Sequence, residues 1–184
     1  MPTSLPAVDR DGGVAVPTEQ VFIGLGGNIG DSITIVEEAL LRLDKIKQTR
    51  LSGRSSLYRS KPVGDVPQDD YINAAARLET SLEPLPLLLE LQAIEQAYYR
   101  QRDPAQHWGP RTLDLDIILF GNRVIKDSHL TIPHPELAQR RFVLEPMLEI
   151  DGDFYIAGLG SLSYLLARSP KLEMSKLVPT RANG

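Results

Sequence analysis

The run from Trp108 to Gly121, W-G-P-R-T-L-D-L-D-I-I-L-F-G, constrains this chain more than any other stretch. Leu113, Leu115, Ile117 and Leu119 alternate with Asp114 and Asp116 before Ile118 and Phe120. A period of two marks a strand with one face in a core. It sets Asp114 and Asp116 together on the other face, about 6.6 Å apart along the strand. Carboxylates so placed suit one or two hard cations, which lie roughly 3.5–4 Å apart in two-metal sites. The strand then turns apolar on both faces and stops at Gly121-Asn122, a turn signal.

Just upstream, Arg100, Arg102, His107 and Arg111 surround Trp108, with Asp103 of opposite sign. Cations and acids this close in sequence often simply pair on a surface. The other reading is a site. The acids have an apolar back, and Gly109-Pro110 fixes the approach of Arg111. Two acids, several arginines and one aromatic are the ingredients for binding a metal–polyphosphate beside a flat ring.

Composition narrows the class. At 184 residues the chain is one domain with tails, long enough to bury roughly 70% of its unfolded surface. It has no cysteine, so disulfides, thiolate metals and thiol nucleophiles are excluded. A net charge of −4 argues against a general nucleic-acid binder, and a local basic cluster suits a small anionic ligand. No run approaches the ~20 apolar residues of a membrane span, and the start lacks a signal-peptide pattern. The expected location is the cytoplasm.

In chain order, residues 1–18 read as a flexible tail and 19–170 as a single catalytic domain, with a second tail over 171–184. Strand Val21–Leu25 runs into Gly26-Gly27-Asn28-Ile29-Gly30-Asp31, where Ile29 spoils a dinucleotide fingerprint. A tight turn admitting another backbone or a ligand is the favoured reading. Asp31 or Ser32 caps a helix to about Lys45, with apolar Ile33, Val36, Leu40 and Leu43. A strand covers roughly Arg50 to Arg59, and prolines and glycine make Ser60 to Pro67 a loop. Strand Tyr71–Thr80 places Tyr71 and Asn73 on its more polar face. Such a pair is commonly plain surface, yet an Asn amide reads a heterocycle's edge well.

Pro84 opens a helix to about Tyr99 that buries Leu87, Leu88, Leu91, Ile94 and Tyr98 and carries Gln92, Glu95 and Tyr99 along its edge. Val124-Ile125 forms a short strand, and Leu130 to Pro135 is extended, with His134 held between two prolines. A helical turn at Glu136 to Arg140, an apolar stretch to Ile150 and a helix over Ser161 to Arg168 follow. Strands joined by loops too short for helical crossovers point to α+β, a ferredoxin-like antiparallel sheet with helices on its faces.

The runs S-S-L-Y-R-S-K-P-V-G, D-Y-I-N-A-A, W-G-P-R-T-L-D-L-D-I and L-T-I-P-H-P, in order over Val21 to Leu148, strongly resemble the 6-hydroxymethyl-7,8-dihydropterin pyrophosphokinases of folate biosynthesis. That resemblance implies transfer of the pyrophosphoryl group of MgATP to the pterin's hydroxymethyl oxygen, releasing AMP. It implies two magnesium ions, bound with ATP, on Asp114 and Asp116. Arg100, Arg111 and Asp116 match catalytic positions. Gln92, Glu95, Arg102, Trp108, Ile117, Thr131, His134 and Arg140 match the ATP side. Gly26, Ser60, Pro62, Val63, Tyr71, Asn73, Trp108, Asp114 and Phe142 match the pterin pocket, where two aromatics sandwich the ring. His107 stands where the family carries a basic residue, often Arg, His129 replaces a further arginine, and Lys61 breaks a Pro-Pro pair. A monomer acting on small molecules, with no nucleic acid and no membrane, is expected. Another metal-dependent nucleotidyl transferase is the alternative, and a ferredoxin-like nucleotide- or RNA-binding module the more distant one.

Overall fold

Residues 16–98 and 111–178 are described in the computed structural model of the protein. Expectations placed on 1–15, 99–110 and 179–184 lie outside the described residues, among them those for Arg100, Arg102, His107 and Trp108.

The first strand, β1 (Glu19–Gly27), is the axis of the fold. Helix α1 (Ser32–Leu43) starts at Asp31, whose carboxylate accepts the Thr34 N–H at 3.2 Å, an N-cap. Next come β2 (Thr49–Arg54), β3 (Tyr58–Ser60), β4 (Tyr71–Thr80), α2 (Pro84–Ala97) and β5 (Asp114–Phe120). The hairpin β6 (Ile125–Lys126) and β7 (Thr131–Ile132) follows, then a 3-10 turn at Leu137–Gln139 and α3 (Arg141–Asp151). A second hairpin, β8 (Tyr155–Ile156) with β9 (Gly160–Ser161), leads into α4 (Leu162–Arg168) and β10 (Met174–Lys176).

The sheet runs β10-β3-β4-β1-β5, with β2 on the same edge of β4 as β3 and every pairing antiparallel. This is the split βαββαβ arrangement of the ferredoxin-like α+β class, to which the sequence pattern points. Helices α1 and α2 cover one face, where Val21, Ile23 and Leu25 meet Val36, Leu40, Leu43, Leu87 and Leu91. Helices α3 and α4 cover the other, where Phe22, Ala75 and Ile118 meet Val143, Leu144, Met147 and Leu162.

Several expectations need correction. The strand expected over Arg50 to Arg59 is broken at Ser55–Leu57, where Ser55 Oγ accepts the Ala75 N–H at 2.9 Å in place of a ladder carbonyl. Helix α1 leaves Ile33 at the rim of its buried arc, 38% exposed. The apolar stretch after Arg140 is helix α3, despite Pro146 inside it. Part of the expected C-terminal tail belongs to the sheet: β10 pairs with β3, and Leu177 donates to the Leu57 carbonyl at 2.8 Å.

The alternation in β5 also fails partway. Phe22 pairs with Leu119 and Ile23 with Ile117, leaving Ile118 as the extra residue of a β-bulge. Leu119 therefore joins Ile118 on the α3 face, and Phe120 returns to the α1–α2 face with Leu113, Leu115 and Ile117. Ahead of the bulge the pattern holds, so Asp114 and Asp116 share one face.

Candidate active site

Strand register builds the site. Gly26 pairs with Asp114 on one side and Asn73 on the other, and Gly24 pairs with Asp116 and Ala75. Cross-strand partners project to the same face, so each aspartate has a glycine beside it. A side chain at Gly24 would meet Ile118 and Val143, which close over the strip there. At Gly26 it would meet the Asn73 amide oxygen, 3.2 Å from a Cβ, and the Ile72 carbonyl oxygen at 3.8 Å. Among the described residues the strip thus opens in front of Asp114. Asn73 is buried and donates to Ser60 Oγ at 2.8 Å, which fixes its amide beside that opening.

Both acids are paired. Arg111 Nη1 donates to Asp114 at 2.6 Å, and Arg140 Nη1 donates to Asp116 at 2.8 Å. Arg140 also donates to Glu136 at 2.6 Å, and its guanidinium lies 6.0 Å from the centre of the Phe142 ring. Burial works against the Arg111 charge, but the Asp114 carboxylate together with Tyr71 and Asp116 outweighs it and holds the guanidinium above its ordinary value. The Tyr71 phenol is pushed up by burial, with Arg111 pulling back against it.

His134 reaches the same place from the other side of β5. Its N–H donates to the carbonyl of the bulged Ile118 at 2.9 Å, and Nε2 stands 4.0 Å from Asp116. Its Nδ1 accepts the Glu136 N–H at 3.1 Å, which leaves the proton of the neutral ring on Nε2, facing the acid. Burial, then the Arg140 charge, pulls its pKa down.

On the open edge of β5, Glu95 is buried, and its carboxylate accepts the Leu115 N–H at 2.8 Å. Gln92 lies one turn earlier on α2. The helical step puts Glu95 on the edge of the buried side of α2; it lies fully inside and anchors the strand carrying both acids. The Ile117 side chain is buried against α1 and α2, so only its backbone can line the site. Val63 is exposed, and Pro62 lies beside it in the loop after β3. Thr131 sits in β7, three residues before His134.

Asn28 was missed by sequence reasoning. It is 5% exposed and makes four hydrogen bonds. Its N–H donates to the Arg111 carbonyl at 2.9 Å, and its Oδ1 accepts the Arg111 N–H at 3.0 Å. Its Nδ2 donates to Gln68 Oε1 and to the Asp69 carbonyl, both at 3.0 Å. The neighbouring Gly27 lies so close to the Thr112 carbonyl that no Cβ fits. The glycine turn therefore admits another backbone, that of the segment carrying Arg111.

The donor set fits magnesium. Among the described residues no cluster of three or more His, Cys, Asp or Glu side chains could hold a metal by itself. Magnesium is typically bound through one or two carboxylates, with waters and substrate phosphates completing its shell. Asp114 and Asp116 supply that share and no more. No helix among the described residues is long and apolar enough to cross a membrane.

A ferredoxin-like sheet with paired strand carboxylates and guanidiniums at its open end has the make-up of a polyphosphate-handling enzyme. The comparisons with known proteins make the class specific. A profile described as 7,8-dihydro-6-hydroxymethylpterin-pyrophosphokinase matches residues 22–152, and the chain belongs to that family. It is 41% identical over 158 residues to the 2-amino-4-hydroxy-6-hydroxymethyldihydropteridine pyrophosphokinase of Haemophilus influenzae, covering 86% of this chain and 98% of that one. The protein of the same name from Pseudomonas aeruginosa is 40% identical over 152 residues, 83% and 93% of the two chains. Among solved structures, wild-type Plasmodium falciparum HPPK-DHPS with pteroate superposes with a TM-score of 0.62 at 14% identity. That match covers 82% of this chain and 42% of the longer one, and it shows the fold.

Proposed function

We propose that this end of the sheet carries out the family's reaction. The pyrophosphoryl group of ATP passes to the hydroxymethyl oxygen of 6-hydroxymethyl-7,8-dihydropterin, giving the pterin diphosphate and AMP in folate biosynthesis. The observation that carries the assignment to this place is the pair Asp114 and Asp116, each beside a glycine and each held by an arginine.

Asp114 and Asp116 would hold two magnesium ions, bound together with ATP. Magnesium, once bound, offsets the negative charge of the triphosphate. Arg111 and Arg140 then exchange carboxylate for phosphate oxygens, which the planar guanidinium also matches. With Arg100 and Arg102 they bring the β-phosphorus in line with the alcohol, and Asp116 takes the alcohol's proton. His134 offers its Nε2–H to a phosphate oxygen, and Thr131, Gln92, Glu95 and the Ile117 backbone complete the nucleotide side.

The pterin lies over Gly26, where the absent side chain leaves room for a flat ring. Asn73 reads its donor–acceptor edge, with Ser60, Tyr71, Pro62 and Val63 around it. Aromatic side chains of this pocket, Phe142 among them, sandwich the flat ring. The enzyme acts as a monomer in the cytoplasm, without nucleic acid.

The products test the assignment. With ATP, magnesium and the hydroxymethyl dihydropterin, AMP and the pterin diphosphate should accumulate together. Free pyrophosphate with a nucleotidylated pterin would instead make the chain a nucleotidyl transferase.

A further inference from the structure

We propose that Asn28 is a positioning residue that sets the phosphate side and the pterin side of the site in register. This rests on the roles given above to Arg111 and Tyr71.

Three segments distant in sequence meet at this one side chain. The end of β1 carries Asn28 itself. The segment entering β5 carries Arg111, whose N–H and C=O both bond to Asn28. The loop entering β4 carries Gln68 and Asp69, whose oxygens take the two Nδ2 hydrogens. Gln68 Oε1 also accepts the Tyr71 hydroxyl at 3.0 Å, which extends the connection to the pterin side.

The amide uses one acceptor and two donors, so neither a carboxylate nor a hydroxyl reproduces it. Asn28 itself is buried, so an amide left without its partners there stays away from water and each lost bond is costly. The two arms are also chemically separable. The Oδ1 arm holds the Arg111 backbone, and with it the direction of the guanidinium. The Nδ2 arm holds the 68–69 loop, and with it Tyr71. An aspartate keeps the first arm and loses the second. Gln68 could turn its amide to meet an aspartate, at the expense of its bond from Tyr71. The Asp69 carbonyl has no such freedom.

Steady-state kinetics on the full chain, with ATP and the hydroxymethyl dihydropterin, separate these arms. Asn28→Ala should lower kcat about 30- to 100-fold and raise the pterin KM about tenfold. Asn28→Asp should recover kcat to within about fivefold of the parent while leaving the pterin KM about tenfold raised. Gln68→Ala, at a half-buried position, should raise the pterin KM about threefold to tenfold.

A merely structural asparagine behaves otherwise. Its variants would lose folded protein, measured by circular dichroism, while kcat and KM per folded molecule stay at parent values. That result overturns the proposal, as does an Asn28→Asp variant whose pterin KM is normal. If Asn28→Ala does not fold, the other two variants decide. Arg111→Ala is measured alongside. An inactive Arg111→Ala beside normal Asn28 variants overturns the role of Asn28 alone, whereas a fully active Arg111→Ala overturns the site on which it rests.

Discussion

At one end of the central sheet Arg111 holds Asp114 and Arg140 holds Asp116. At the other end Arg123 holds Glu19 and Glu83, and Arg77 holds Asp151. In charge the two ends are alike. They differ in what stands beside the acids. At the far end the room made by Gly121 is already filled, since a Cβ there would strike the Glu19 carboxylate. Arg123 stacks on Phe120 and ties the start of β1 to the start of α2. At the near end, among the described residues, Gly26 faces the edge of Asn73 and the backbone beside it, so an incoming ligand finds space and charged groups together. A hollow of about 440 Å³ does lie at the far end, lined by Phe22, Leu119 and Phe154, but its charged residues Arg77, Asp151 and Arg123 are committed to one another and to nearby protein groups. Ion pairs alone therefore do not mark a site. Ion pairs beside a strip without side chains do.

The sharpest way to break this comparison is to neutralise one acid at each end. Asp114→Asn and Asp116→Asn should each lower kcat by about 10²–10³-fold or more at saturating magnesium, with the unfolding midpoint almost unmoved. Asp151→Asn should leave kcat per folded molecule unchanged. Normal AMP release from either near-end variant would show that the carboxylates do not hold the metal.

Filling the open strip should have the next largest effect. Gly26→Val sets a branched side chain against Asn73 where the pterin ring is placed, and the pterin KM should rise about 10- to 100-fold. Affinity for a non-hydrolysable MgATP analogue, read by calorimetry, should change by less than about threefold. Equal loss of both ligands would mean that the strip supports the whole site rather than the ring.

Much of this arrangement was legible in the sequence, for reasons that also explain the gaps. The alternation of Leu113, Leu115 and Ile117 around two aspartates is local, so the strand and its acidic face could be read directly. The bulge at Ile118 could not, because it is a property of the pairing with Phe22 and Ile23. Asn28 sits in a glycine turn whose partner segment is 83 residues away, and nothing near it signals that contact. Glu95 reads as a boundary residue by helical step, yet an edge strand with an unpaired Leu115 N–H draws it inside. Three-residue β10 is too short to show a period. The role proposed for Phe142 comes from the family motifs, since pattern alone leaves that residue as core.

A smaller effect belongs to the far end. Arg77 also donates to the Ser52 hydroxyl and carbonyl, at 3.1 and 2.9 Å, joining β4 to β2 beside its pair with Asp151. Arg77→Gln should cost about 1–2 kcal/mol of stability in urea titrations. Turnover per folded molecule should stay within about twofold of the parent. A large fall in kcat would show that the two ends are coupled through the sheet.

The smallest effect concerns a carboxylate at neither end, and it is a matter of pH. Glu149 on α3 accepts the Ser56 N–H at 3.1 Å, the Ser56 hydroxyl at 2.7 Å and the Tyr58 hydroxyl at 2.6 Å. Lys176 of β10 lies 2.9 Å from it. One side chain thus joins α3 to the break between β2 and β3 and to the added strand. Burial pushes its pKa up, but the bonds from Tyr58, Ser56 and Lys176 outweigh that and bring it down to about 2, from an ordinary 4.5. The unfolded chain therefore takes up the proton before the folded one as pH falls. The stabilisation is whole above pH 4.5 and fades between 4.5 and 2. Glu149 is partly solvated, so its contribution at neutral pH is about 1 kcal/mol rather than the full value of the shift. Glu149→Gln should then be less stable than the parent by that amount at pH 7 and pH 5 alike. The gap should narrow at pH 4 and narrow further at pH 3. Urea titrations at those four pH values measure it, and a gap that stays constant down to pH 3 would show that shape and hydrogen bonding, not the carboxylate's charge, hold β10 in place.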